Sequence, residues 1–287
     1  MSDHGDGHAK RRGGLMGAWR EHLAEDEELS VDFSVDFSEY LEALRESLDS
    51  FIADARVAGL EAAVPTAPEW DVRRLIAHLG MVHRWATDCV QGKRVDATAY
   101  EAEGLESSDP VIWLREGGLH LIKALKAAPA DLEAYVFLED APAPRLFWAR
   151  RQCHETTMHS VDALAAKLGR VPTADETWVT QQVALDGIDE LLTGFLTRPR
   201  SALRSPEPVS LAVRPTDVSR SWLVHVSDEP PVVERSAGRK RRRRGEDASL
   251  TIEGTAEQLY LALWNRSDEV HGAGYDLWRQ GARISWS

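Results

Sequence analysis

The sequence predicts an antiparallel helical bundle followed by a small mixed α/β domain. Two observations carry this. Up to about Pro199, apolar residues recur at helical period in five segments joined by loops of modest length. Beyond Pro199 the period changes, and short runs of alternating, β-branched character take over.

The first helix begins near Asp36, where Asp36 and Glu39 have the spacing of a capping box. Phe37, Leu41, Leu44, Leu48, Phe51, Ile52 and Ala55 form its stripe, and Gly59 ends it. The stretch 60–69, with Pro65 and Pro68, reads as a loop. Asp71 caps a second helix, on which Leu75, His78, Leu79, Val82 and Trp85 share one face. Asp109-Pro110 opens a third, carrying Ile112, Leu119, Ile122 and Leu125. A fourth runs from about Pro144 to Leu168 and stops at Gly169, and a fifth from about Asp175 to Leu196.

In the second part, Val209–Val213, Ser221–Val226, Val232–Glu234 and Ser249–Glu253 read as strands. A helix follows over Ala256–Asn265, with a closing strand at 283–286. The resulting division is a flexible tail at 1–33, a helical bundle at 34–203, which the ligand candidates described below make a metal-binding one, and an α/β domain at 204–287. The tail holds His4, His8 and His22, and a solvated tail is the expectation against loose metal binding. Residues 30–37 repeat Ser-Val-Asp-Phe. The Arg-rich run 238–245 is expected to be an exposed loop between two strands, with an anionic partner as the alternative.

Composition excludes several classes. The net charge is −13 although six basic residues sit in one run, so the rest of the chain is more acidic still. Such a surface argues against nucleic acid as the main partner. No stretch approaches the ~18 to 20 apolar residues of a membrane span. With two cysteines, Cys89 and Cys153, and no secretory segment, a reducing cytoplasm is the expected setting.

The chemistry centres on the stretch 150–162. Glu155 and His159 are four apart, one helical turn, with Asp162 next along the same line. Beside them run Met158, Val161, Ala165 and Leu168, so a carboxylate and an imidazole stand at the edge of a buried face. A buried charge is costly unless it is paired or bound to metal. The spacing is not that of zinc proteases: His154 and His159 are five apart and point to different sides. His78 is a third ligand candidate on another helix, although a lone histidine in an apolar stripe is also an ordinary hydrogen-bonded core residue. His83 is a weaker candidate, and His120 reads as structural or exposed. Two imidazoles and a carboxylate suit catalytic zinc with an open position. The set also fits ferrous iron, but the helical setting favours zinc or a similar divalent ion. Asp162 is a candidate to orient a ligand, with a solvated or capping aspartate as the alternative. His154 either faces substrate or lies on the surface, and Cys153 points away as a small core residue.

Trp70-Asp-Val-Arg-Arg-Leu-Ile-Ala-His78-Leu-Gly-Met-Val-His-Arg-Trp85 resembles the first motif of the actinobacterial mycothiol-dependent maleylpyruvate isomerase family. Phe147-Trp-Ala-Arg-Arg-Gln-Cys-His-Glu155-Thr-Thr-Met-His159-Ser-Val-Asp162 resembles the second, and Asp186-Gly-Ile-Asp-Glu-Leu-Leu192 a third. The resemblance covers roughly residues 36–287 and includes Ile252–Asn265, similar to the helix region of a sterol-carrier-like domain. It implies an all-α, up-down, DinB-like four-helix bundle followed by a small sterol-carrier-like α/β domain. It places the metal ligands on His78, Glu155 and His159. It implies an isomerase or S-transferase that uses mycothiol, or a similar thiol, on a small electrophilic substrate. Two other readings stay open: a metal-holding regulatory module, and a metal-dependent hydrolase on the same bundle. The N-terminal tail and the Arg-rich run have no counterpart in the family pattern.

Overall fold

Local chemistry sets the helix boundaries. The computed structural model describes residues 35–138, 141–237 and 248–282. The tail, the Arg-rich run and the closing strand expected at 283–286 lie outside them. Helix α1 spans Phe37–Ala58, and Asp36 and Glu39 close the capping box reciprocally. Helix α2, Val72–Val90, is capped by Asp71, which accepts from the Arg74 amide at 2.8 Å. Helix α3, Thr98–Glu106, buries only Gly104 fully, so no apolar stripe marks it in the sequence. Helix α4, Pro110–Ala127, starts on an Asp109 cap and an N-terminal proline. Helix α5, Pro144–Leu168, ends at Gly169 with φ +67°, the left-handed stop that glycine takes at little cost.

The expected fifth helix is corrected at its start. Thr173 and Glu176 close a capping box around one 3-10 turn, Ala174–Glu176. An extended stretch rich in β-branched residues follows. Thr180 then caps a new helix, α6, Gln181–Asp189. It runs on into a π-helical turn, Glu190–Phe195.

After the helices come β1 (Val209–Pro215), β2 (Arg220–Val226), β3 (Val232–Ala237) and β4 (Leu250–Gly254). The sheet order is β3-β2-β1-β4. β1 pairs antiparallel with β2 and parallel with β4. Helix α7, Ala256–Leu263, is capped by Thr255 and Gln258, and stops before Asn265, which has φ +61°. Helix α8, Ala273–Gly281, was not marked in the sequence. Gly274 lets α8 lie against β4, because a Cβ there would strike the Thr251 carbonyl. The chain is thus a helical region followed by a small mixed sheet.

In the helical region α1 lies along α5, and α2 contacts both α4 and α5. The apolar core does not stop at the sheet. One cluster runs from Leu44, Phe147 and Ile188 through Trp222, Ile252 and Tyr260. A second, around Phe51, Leu75, Trp113 and Ala163, fills the space between α1, α2, α4 and α5. Side chains of α5 can therefore meet residues from far along the chain.

Candidate metal centre

Almost every side chain of α5 from Arg151 to Ala163 is buried, including its charged ones. Those charges are paired. His78 from α2 and Glu155 and His159 from α5 each offer one donor atom, all within 4.8 Å of one another. The two histidine Nε2 atoms converge on one oxygen, Glu155 Oε1, at 3.7 Å from His78 and 3.3 Å from His159. The helical spacing puts Glu155 and His159 on one face, and α2 brings in the third. The His78 side chain is 15% exposed against 5% for Glu155, so the open side of the cluster is at His78. Trp70 lies over both imidazoles, its ring centroid 4.9 Å from that of His78 and 6.2 Å from that of His159.

The far sides of the two donors on α5 are held. His159 Nδ1 lies 2.8 Å from Asp162 Oδ2. Asp162 also accepts from Thr66 Oγ1 at 2.6 Å and from Arg266 Nε and Nη2 at 3.1 Å each. Glu155 Oε2 accepts from Arg151 Nη2 at 3.0 Å. Burial alone would raise the Glu155 pKa, but hydrogen bonds from His159 and His78 and the Arg151 charge hold it well below the usual carboxylate range. Burial would lower His159, but its hydrogen bonds to Asp162 and Glu155 push it up to about 9. Asp162 is depressed as well: burial opposes this, and Arg266 and His159 outweigh it.

This donor set suits a divalent cation. Three convergent donors, two of them imidazole, are the number that a catalytic zinc site takes from its protein. The anionic Asp162 keeps a proton on His159 Nδ1, which leaves Nε2 as the donor when the ring is neutral.

Residues 41–164 match the model of the mycothiol maleylpyruvate isomerase N-terminal domain, and residues 182–275 match that of the MDMPI C-terminal domain. The chain belongs to the mycothiol-dependent maleylpyruvate isomerase family.

A solved structure of the mycothiol-dependent maleylpyruvate isomerase overlays on the chain with a TM-score of 0.55 at 13% identity. It covers 83% of this chain and 93% of that one. A histidine-to-alanine mutant of that enzyme gives 0.57 at 13% identity with the same coverage. At this identity the likeness shows the fold, a helical region followed by a small mixed sheet domain. No curated protein matches the chain. Among the described residues no helix is long and apolar enough to cross a membrane.

In this family member the other expected residues lie elsewhere. His154 is neither exposed nor beside the cluster. It is fully buried, with Nδ1 2.9 Å from Tyr260 Oη and Nε2 2.7 Å from Asp186 Oδ2. Asp186 also accepts from Tyr40 Oη and Arg150 Nε at 2.9 Å each. Its pKa is lowered: burial opposes, and the His154 hydrogen bond and the Arg150 charge prevail. His83 is buried and bonded through Nε2 to Thr156 Oγ1 at 2.9 Å, and is not among the convergent donors. Cys153 is fully buried, and His120 is exposed. Trp70, Arg151 and Glu190 fall within the sequence motifs but have no role that the motifs assign, and Thr66 and Arg266 carry no signal. Arg151 alone has a local cue, one turn before Glu155 on the same face.

Proposed function

We propose that the protein is a metal-dependent isomerase or S-transferase that uses mycothiol, or a similar low-molecular-weight thiol, on a small electrophilic substrate. The cation, zinc by the character of the donors, would be held by His78, Glu155 and His159. The observation that carries the reading is one donor cluster, open toward His78, in a chain matching both domains of mycothiol maleylpyruvate isomerase. We read residues 34–203 as a metal-binding bundle of four up-down helices, α1, α2, α4 and α5, and residues 204–287 as the α/β domain.

A divalent ion bound there supplies positive charge and open coordination positions, which lower the pKa of a thiol placed beside it. The chain's residues do the rest. Asp162 fixes the His159 proton on Nδ1, and Arg151 occupies the outer oxygen of Glu155. Trp70 packs against both imidazoles and restricts their rotation. The protein's own thiols are poor nucleophiles. Cys153 is fully buried, and burial pushes its pKa far up. Burial pushes Cys89 up to about 11. The working sulfur therefore comes from the cosubstrate. Its thiolate forms a C–S bond at an activated carbon–carbon double bond, whose π pair moves into the adjoining carbonyl as an enolate. Isomerisation results when the new single bond rotates and the enolate expels the thiolate again, and S-transfer when the enolate carbon takes a proton and the C–S bond persists.

The test has two stages. Chelator-treated protein should take up about one zinc per chain, and His78→Ala, Glu155→Ala and His159→Ala should each abolish the uptake. Zinc-loaded wild type should then turn over maleylpyruvate, the probe substrate, only with mycothiol present. Zinc uptake with thiol-independent ester or amide cleavage would favour a hydrolase. Zinc uptake with no turnover of either kind would favour a regulatory module.

A further inference from the structure

Behind the candidate ligand Glu155 stands a second buried carboxylate. Arg151 is 1% exposed and is clamped between the two. Nη2 donates to Glu155 Oε2 at 3.0 Å, and Nη1 forms a very short contact with Glu190 Oε2. The Arg151 guanidinium carbon also lies 5.1 Å from the Phe195 ring centroid and 5.4 Å from that of Trp264. Glu190 is itself 1% exposed, and its Oε1 accepts no hydrogen bond from the described residues. Its polar role therefore passes through Oε2 to Arg151.

The backbone that presents these groups is unusual. Glu190–Phe195 is a π-helical turn, with the Leu196 amide bonded to the Leu191 carbonyl at 2.9 Å. In an α-helix, residues five apart point to different sides. The wider π turn closes its bonds five residues apart and brings such positions onto one side. Glu190 and Phe195 consequently both face Arg151. A π turn inside a helix is a feature frequent at functional sites.

We infer that Glu190, Arg151 and the π turn together form a positioning device that ties up Glu155 Oε2, so that Glu155 offers a cation one oxygen, Oε1. The inference rests on the metal reading above and adds to it a coordination mode and two positioning residues. The lock works by geometry and by charge. Arg151 holds the carboxylate at a fixed rotation, with Oε1 toward His78 and His159. Glu190 neutralises the Arg151 charge, which unopposed would repel a cation on the far side of Glu155. A planar fork is needed to reach two carboxylates at once, which is why arginine and not lysine suits the position.

The test uses the full chain with zinc as the probe. Two quantities are read: zinc affinity by chelator competition, and the splitting between the asymmetric and symmetric carboxylate stretches in infrared difference spectra, with 13C-glutamate labelling. The splitting narrows when a carboxylate changes from one-oxygen to two-oxygen coordination. Wild type should show the wide splitting, and Arg151→Met the narrow one. Glu190→Gln keeps the size and hydrogen-bonding capacity of Glu190 but removes its charge. It should keep the wide splitting and bind zinc roughly tenfold more weakly, a typical effect of disturbing the groups behind a ligand. A purely structural role for Glu190 would change the melting temperature and leave zinc affinity alone. If Arg151→Met does not fold, Glu190→Gln decides the matter. Wild-type affinity in Glu190→Gln, or an unchanged wide splitting in a folded Arg151→Met, overturns the inference. Failure of the wild type to bind zinc overturns the metal reading itself, a separate outcome.

Discussion

Arg266, just beyond α7, donates through Nε and Nη2 to the two oxygens of Asp162, each at 3.1 Å, and Asp162 in turn meets His159 Nδ1 at 2.8 Å. A residue of the sheet-containing part of the chain thus supports a donor on α5. The pair is asymmetric in exposure, with Asp162 fully buried and the Arg266 side chain 21% exposed.

Removing Arg266 would leave a buried carboxylate held by Thr66 and His159. Arg266→Met is expected to cost about 3 kcal/mol of stability, the lower end for breaking a buried pair. It should also weaken zinc binding about 10-fold to 100-fold, because the orientation of His159 is loosened. Urea unfolding and chelator competition on the same preparation check both effects. Loss of stability with unchanged zinc affinity would separate Arg266 from the cluster.

His83 gives a pH dependence with a definite sign. Burial lowers its pKa to about 3. An unfolded histidine titrates near 6.5. Between those values the unfolded chain binds a proton that the folded one does not, so stability falls as pH falls. From pH 7 to pH 5 this amounts to roughly 2 kcal/mol. Above about pH 7.5 His83 contributes almost no slope. His83→Gln should remove this part of the slope in urea titrations of metal-free protein. An equally steep loss in the variant would assign it to other groups. His159 does not confuse the window. Burial opposes its protonation, but its bonds to Asp162 and Glu155 push its pKa up to about 9, so its own change comes between about 6.5 and 9.

Gly187 marks the seam between α6 and α7. A Cβ there would run into the Tyr260 ring and come within 2.9 Å of His154 Nδ1. Tyr260 and His154 are both fully buried, so neither can swing clear. Gly187→Ala should cost about 2 kcal/mol, typical of overpacking. A melting temperature equal to wild type would show that the seam opens without cost.

The sequence makes the helices legible wherever one face is apolar and a capping residue stands at its start. Asp36, Asp71 and Asp109 mark their helices for this reason. Helix α3 has no such face and escapes notice. The helix expected from Asp175 is interrupted because Thr173 and Thr180 each begin an element of their own. At the cluster, Glu155 and His159 are legible because helical spacing is local. The buried position of His154 is not legible, because the groups that bury and bond it, Tyr260 and Asp186, lie 106 and 32 residues further along the chain. The same holds for Glu190 and Arg266, whose partners on α5 are brought to them only by tertiary packing.

The most direct test of the central claim is calorimetric titration of the zinc-loaded protein with mycothiol near pH 7, repeated in buffers of different ionisation enthalpy. Close to one proton should be released per thiol bound, since free thiols titrate near 8.5 and a bound thiolate carries none. Cys153→Ser should release the same proton, and His159→Ala should neither hold zinc nor release it. Wild-type protein that binds zinc yet takes up mycothiol without releasing a proton, or not at all, would contradict the thiol-dependent account.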